Sequence, residues 1–171
     1  MSGIKLAAAA ALVACLSAGS AMAQLSAANP RAPIDMSADE SQVSVDSCKT
    51  VFRGQAEALQ DDRRLRAHTI TAFAAKSAKG CGDATRLEAD GDVYYVTPEQ
   101  VVRGDHAVYS ISSGSIVVTG NVIVLQGKSV ARGERLTINV ATKEVLMEGP
   151  HGRGAPGRVR AVVYPDATAQ K

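Results

Sequence analysis

Few residues in this chain are equipped for chemistry, and they do not assemble into a recognisable catalytic set. His68, His106 and His151 lack metal-ligand spacing. His68 and His106 also fall where the local pattern expects outward-facing strand positions. Asp61-Asp62, beside Arg63-Arg64, is the nearest thing to a paired-carboxylate site, but no partner base or nucleophile accompanies it, so it reads as a charged turn. Ser, His and Asp all occur without a nucleophile elbow. The reading is of a non-enzyme, with no metal site and no cofactor.

Three arginines stand out because they recur. Arg66, Arg103 and Arg132 occupy one repeated position. They could donate bidentate hydrogen bonds to lipid phosphates. The plainer expectation is a surface ladder in which Arg103 and Arg132 pair with Asp105 and Glu134, two residues on. Arg103-Gly104-Asp105 spells an adhesion tripeptide, but the repeat accounts for it.

The elements that position these residues come from a repeat. RGDHAVYSISSGSIVVTG (103–120) and RGERLTINVATKEVLMEG (132–149) match at an offset of 29 residues. The match extends back to Gly91 and Gly120, giving units 91–119 and 120–148. An earlier copy starts at Gly54 and takes eight extra residues before rejoining at Leu87–Gly91. A partial unit precedes it, with Ala38-Asp39 in the place of Gly104-Asp105. Within each unit the apolar period is two: Ala107, Tyr109 and Ile111 alternate with His106, Val108 and Ser110. Ser112-Ser113-Gly114 and Ala141-Thr142-Lys143 read as turns, and Pro98 and Gly127 mark equivalent breaks. Gln55–Ala67 alone has a helix-like pattern, which its strand-like sister copies overrule.

The chain is therefore all-β, a β-solenoid-like stack of antiparallel strands built from repeats of about 29 residues. Single units cannot bury their apolar face; stacked units can. The terminal strands of such a stack offer unpaired backbone groups to a partner.

The N-terminus carries a targeting segment. Lys5, the apolar run Leu6–Leu16 and the small-x-small site Ala21-Met22-Ala23 describe a signal peptide over 1–23. Leu12-Val13-Ala14-Cys15 offers a competing lipobox with Cys15 as a lipidated end. Residues 24–32 read as a flexible leader, 33–149 as the domain, and 150–171 as a loose tail with a short strand at 159–164. Lys+Arg 19 against Asp+Glu 17 gives a net charge of +2, so no broad basic field exists for nucleic acid. Trp is absent, which weakens any stacking-based reader.

Cys48 and Cys81 sit in the same turn of successive units, since the offset of 29 carries Cys48 to residue 77. Strands about 4.8 Å apart suit the roughly 4.4–6.8 Å Cα spacing of a disulfide. An exported chain permits the bond; two free thiols are the alternative.

GDVYYVTPEQVVRGDHAVYSISSGSIVVTGNVIVLQGKSVARGERLTINVATKEVLMEG, preceded by PIDMSADESQV, resembles the repeat of the LptA/OstA-like periplasmic lipopolysaccharide transport family of Gram-negative bacteria. The resemblance covers about residues 33–149. It implies an open, twisted β-jelly roll that binds the acyl chains of lipid A. It also implies strand-edge contacts with an LptC-like inner-membrane partner and an LptD-like outer-membrane partner, and leaves room for head-to-tail self-association.

The expected inward, ligand-binding face is Val43, Val45, Phe52, Ile70, Val93, Tyr95, Tyr109, Ile111, Ile116, Val118, Val122, Val124, Leu136, Ile138, Val140, Val145 and Met147. Any β-stack needs such residues as core, so a structural assembly module without lipid affinity is one alternative. An anchored LptC-like accessory protein is another.

Overall fold

A computed structural model describes residue 29 and residues 32–150 and 157–164. The signal peptide, the Cys15 lipobox, most of the leader and parts of the tail lie outside the described residues.

The described chain is one ten-stranded antiparallel sheet with no helix among the described residues. Its strands are β1 (Asp35–Ser37), β2 (Glu40–Ser44), β3 (Lys49–Gln60), β4 (Arg63–Ser77), β5 (Gly80–Val96), β6 (Val101–Ser110), β7 (Ser115–Gln126), β8 (Ser129–Asn139), β9 (Val145–Glu148) and β10 (Arg160–Val162). From β3 to β8 every strand pairs with its sequence neighbours. β1 and β2 share the free side of β3, and β9 and β10 share that of β8. Each edge is thus a strand in two pieces. β10 falls inside the stretch expected to add a strand.

Each 29-residue unit is one whole strand between two partial ones, and the glycine that opens it is a bend within a strand. Gly54, Gly91 and Gly120 have φ of 78°, 80° and 78°, and each is followed by a second left-handed residue, Gln55, Asp92 or Asn121. At each pair the register slips, so that two residues oppose one on the neighbouring strand. These are β-bulges, which sharpen local twist and bend the strand. Aligned across three hairpins, they crease the sheet along one line.

Alternation then sorts side chains onto the inside of the crease. On one side of it runs the ladder Phe52, Ile70, Ala89, Ala107, Val118, Leu136, Met147, and beside it Ala72, Leu87, Tyr109, Ile116, Ile138, Val145. On the other side runs Met36, Ala58, Leu65, Tyr95, Val102, Val124, Ala131. The two halves face each other. The Tyr109 hydroxyl on one donates to Gln60 Oε1 on the other at 3.1 Å. β-branched and aromatic residues suit this half-buried pleat, and Ile70, Ala89, Val102, Val118, Val122 and Leu136 are fully buried in it.

The eight extra residues lengthen the tip of the β4–β5 hairpin, where Ser77 pairs with Gly80. That tip is tied down. Cys48 and Cys81 form a disulfide with Cα atoms 5.3 Å apart, and the Ala74 amide donates to the Cys48 carbonyl at 2.9 Å.

Candidate functional site

The facing halves do not meet everywhere. Toward the β9/β10 edge they leave a cavity of about 430 Å³, within the ~300–1,000 Å³ of small-molecule sites. One wall is Tyr95, Val124 and Ala131; the other is Leu136, Ile138, Val140, Val145 and Met147, with Val159 at the margin. The apolar walls follow from strand parity. The hairpin ends add a polar lip: Asp62, Arg63, Thr97, Glu99, Gln100 and Gln126 on one half, Asn139 and Lys143 on the other. Toward β3 the halves close, leaving a void of about 30 Å³ between Ile34, Leu65, Leu87, Tyr109, Ile116 and their neighbours.

The expected inward residues therefore divide. Tyr95, Val124, Leu136, Ile138, Val140, Val145 and Met147 line the cavity. Tyr109 and Ile116 line the small void. Ile70, Val93, Val118 and Val122 are filled core, and Phe52 and Ile111 pack against that core from its border.

Three positions depart from the expectation. Val45 is 71% exposed because β2 ends at Ser44 and the chain turns there toward Cys48. Val43 has the inward parity, opposite Thr50, yet is 66% exposed because it lies on an edge strand with no facing half above it. Val145 pairs with Ile138 but remains 48% exposed on the short outer strand β9.

The arginine ladder is also differently wired. Arg103 pairs across strands with Asp92 at 3.0 Å, and Arg66 with Glu57 at 3.5 Å. Arg103 thus pairs with Asp92 rather than Asp105, which faces a bulge: the Asp105 carboxylate accepts from Asn121 Nδ2 at 2.9 Å. His68 and His106 are outer-face residues beside Asp92 and Asp90. No cluster of three or more metal-ligating side chains occurs among the described residues.

The polar residues that matter at the cavity are ones the sequence pattern passed over. Gln60 and Arg63 are buried at 6% exposure each. Tyr95 is pushed up to about 12, chiefly by burial and against the opposing charge of Arg63. Tyr109 is raised for the same first reason. Both hydroxyls thus remain neutral, hydrogen-bonding groups within an apolar interior.

Residues 35–144 match the family model described as LptA/(LptD N-terminal domain) LPS transport protein. The chain belongs to this family. Its members are transport proteins. A protein of Rhizobium meliloti, itself uncharacterised, is 28% identical over 126 residues, which cover 71% of this chain and 68% of that protein. The fold superposes on LptH of Pseudomonas aeruginosa, described as the LptA-homologous periplasmic component of the lipopolysaccharide transport device. That match has a TM-score of 0.69 at 18% identity and covers 81% of this chain and 99% of the other.

Proposed function

We propose that the chain is a non-enzymatic periplasmic carrier that shelters acyl chains of lipopolysaccharide in its cleft between the inner and outer membranes. The observation that carries this is the cavity of about 430 Å³ with apolar walls. Each methylene left in water costs about 0.8 kcal/mol, so a dozen-carbon chain costs on the order of 10 kcal/mol to move uncovered. A cleft of Val, Ile, Leu and Met offsets most of that without gripping one structure tightly. Cargo can then be handed on.

The split edges supply the handover. β1/β2 and β9/β10 each carry backbone groups on their outer side that no described strand pairs. An LptC-like partner at one edge and an LptD-like partner at the other would extend the sheet and its crease, as would a second copy head to tail.

The test is site-specific photo-crosslinking in cells making labelled lipopolysaccharide. A photoreactive residue at Ile138, on the cavity wall, is expected to capture the lipid. One at Thr137, on the opposite face of the same strand, is not. Folded protein that crosslinks at neither position would mark the domain as a packed assembly module and end the carrier reading.

A further inference from the structure

Arg63 is the one buried cation of the described interior. It opens β4, and strand alternation turns its side chain inward beside Tyr95. Its Nη2 donates to the Asn29 carbonyl at 2.9 Å. The Asp61 carboxylate is 3.7 Å away and 43% exposed, and the Tyr95 and Tyr109 hydroxyls also interact with the guanidinium. Its Nε is buried and has no acceptor among the described residues. A buried donor left unmade is costly, and a buried charge more so. Native structures rarely leave such a group without a reason.

The strand pattern does not demand a cation here. The corresponding starts of the later hairpin strands are Gln100 and Ser129. Arg63 also lines both the large cavity and the small void, so it stands where one gives way to the other. Lys143 stands on the opposite lip; Asp62 and Glu99 also line the cavity and keep the lip from being uniformly basic. Leu136, Ile138, Val140 and Met147 supply the apolar wall beside these groups. A polar lip with one unspent guanidinium donor over an apolar floor is the complement of an amphiphile with an oxyanion head.

We infer that Arg63 is the anchor for an oxyanion, phosphate or carboxylate, carried by an acyl chain that occupies the cavity. This rests on the carrier reading of the cavity and deepens it. The cleft selects its cargo by head group as well as by covering its tail. An oxyanion at this position would give Arg63 a charge-assisted partner.

Calorimetric titration of the exported, disulfide-intact protein with three probes tests this: dodecyl phosphate, dodecanol and inorganic phosphate. Wild type is expected to bind dodecyl phosphate at least about tenfold more tightly than dodecanol, the size of one hydrogen bond to a charged group. Arg63→Met should erase that preference, so that the variant binds dodecyl phosphate no more tightly than dodecanol. Far-ultraviolet circular dichroism checks that the variant folds; Arg63→Gln, which keeps a polar amide but removes the charge, should show the same loss. Equal binding of the two chains by wild type, or a preference that survives both substitutions, overturns the oxyanion anchor and spares the carrier reading. Failure of both chains to bind sinks the carrier reading and this inference with it. Inorganic phosphate binding as tightly as dodecyl phosphate would show a free-anion site and overturn the amphiphile.

Discussion

Replacing Gly120 by alanine separates two costs that the crease imposes. Gly120 sits at φ 78°, and an L-residue there pays about 1–2 kcal/mol for the left-handed conformation. Gly91, at φ 80°, carries the same charge against backbone strain. The surroundings differ. A Cβ on Gly120 would lie 2.5 Å from Asp105 Oδ2 and 2.8 Å from Asp105 Cβ. The Cβ of Asp105 cannot rotate away, and moving its carboxylate breaks the hydrogen bond from Asn121. A Cβ on Gly91 would meet His68 Nδ1 at 2.7 Å and His68 Cβ at a looser 3.2 Å. That imidazole is 72% exposed and can swing out. Overpacking adds about 1–3 kcal/mol where neighbours cannot yield. Gly120→Ala should therefore cost about 3–4 kcal/mol and Gly91→Ala about 1–2 kcal/mol. Urea unfolding followed by far-ultraviolet circular dichroism reads both. Asp105→Gly added to Gly120→Ala should recover about half of the loss, a coupling that a double-mutant cycle isolates. Equal costs for the two alanines, or no coupling with Asp105, would refute the bulge argument.

Two further outcomes are expected. The Cys48–Cys81 bond spans 33 residues, so the double serine variant should lose about 3–4 kcal/mol by chain entropy; an unfolding midpoint indifferent to the substitution would contradict this. Tyr95 ionises near 12 when folded and near 10 when unfolded. The unfolded chain gives up its proton first, so this contribution is whole below pH 10 and is lost as pH rises toward 12. The loss amounts to about 2–3 kcal/mol. Tyrosinate absorbance should show a late step that Tyr95→Phe removes, and its persistence in that variant would assign the late step to another tyrosine.

Legibility in the sequence tracked the period. Where strands are long and paired on both sides, alternation gave the right face: Ile70, Tyr95, Val118, Leu136 and Ile138 all point inward. The repeat offset was also readable, because each copy needs its hinge glycine at the same step. Parity carries no information about edges, and that is why Val43 and Val145 face inward by register yet meet solvent. Ala56, Ala67, Ala89 and Ala107 are buried in the interior, but alanine is too common and too small to announce a core. Arg63 was hidden by its company, since two arginines after two aspartates look like any solvated turn. Its burial depends on Asn29, whose carbonyl it meets, and on Tyr109, which reaches it from the facing half of the sheet.

Strands β4 to β7 each pair only with the strand before and the strand after. The pairing of these strands waits for no distant segment of chain. Loop closure is therefore short at every step, and the slow long-range searches that delay many β proteins are absent. A chain emerging N-terminus first can complete β3–β4, then add β5, and continue one strand at a time. Each arrival covers the edge left by the last, so the exposed template for misassembly is never more than one strand wide.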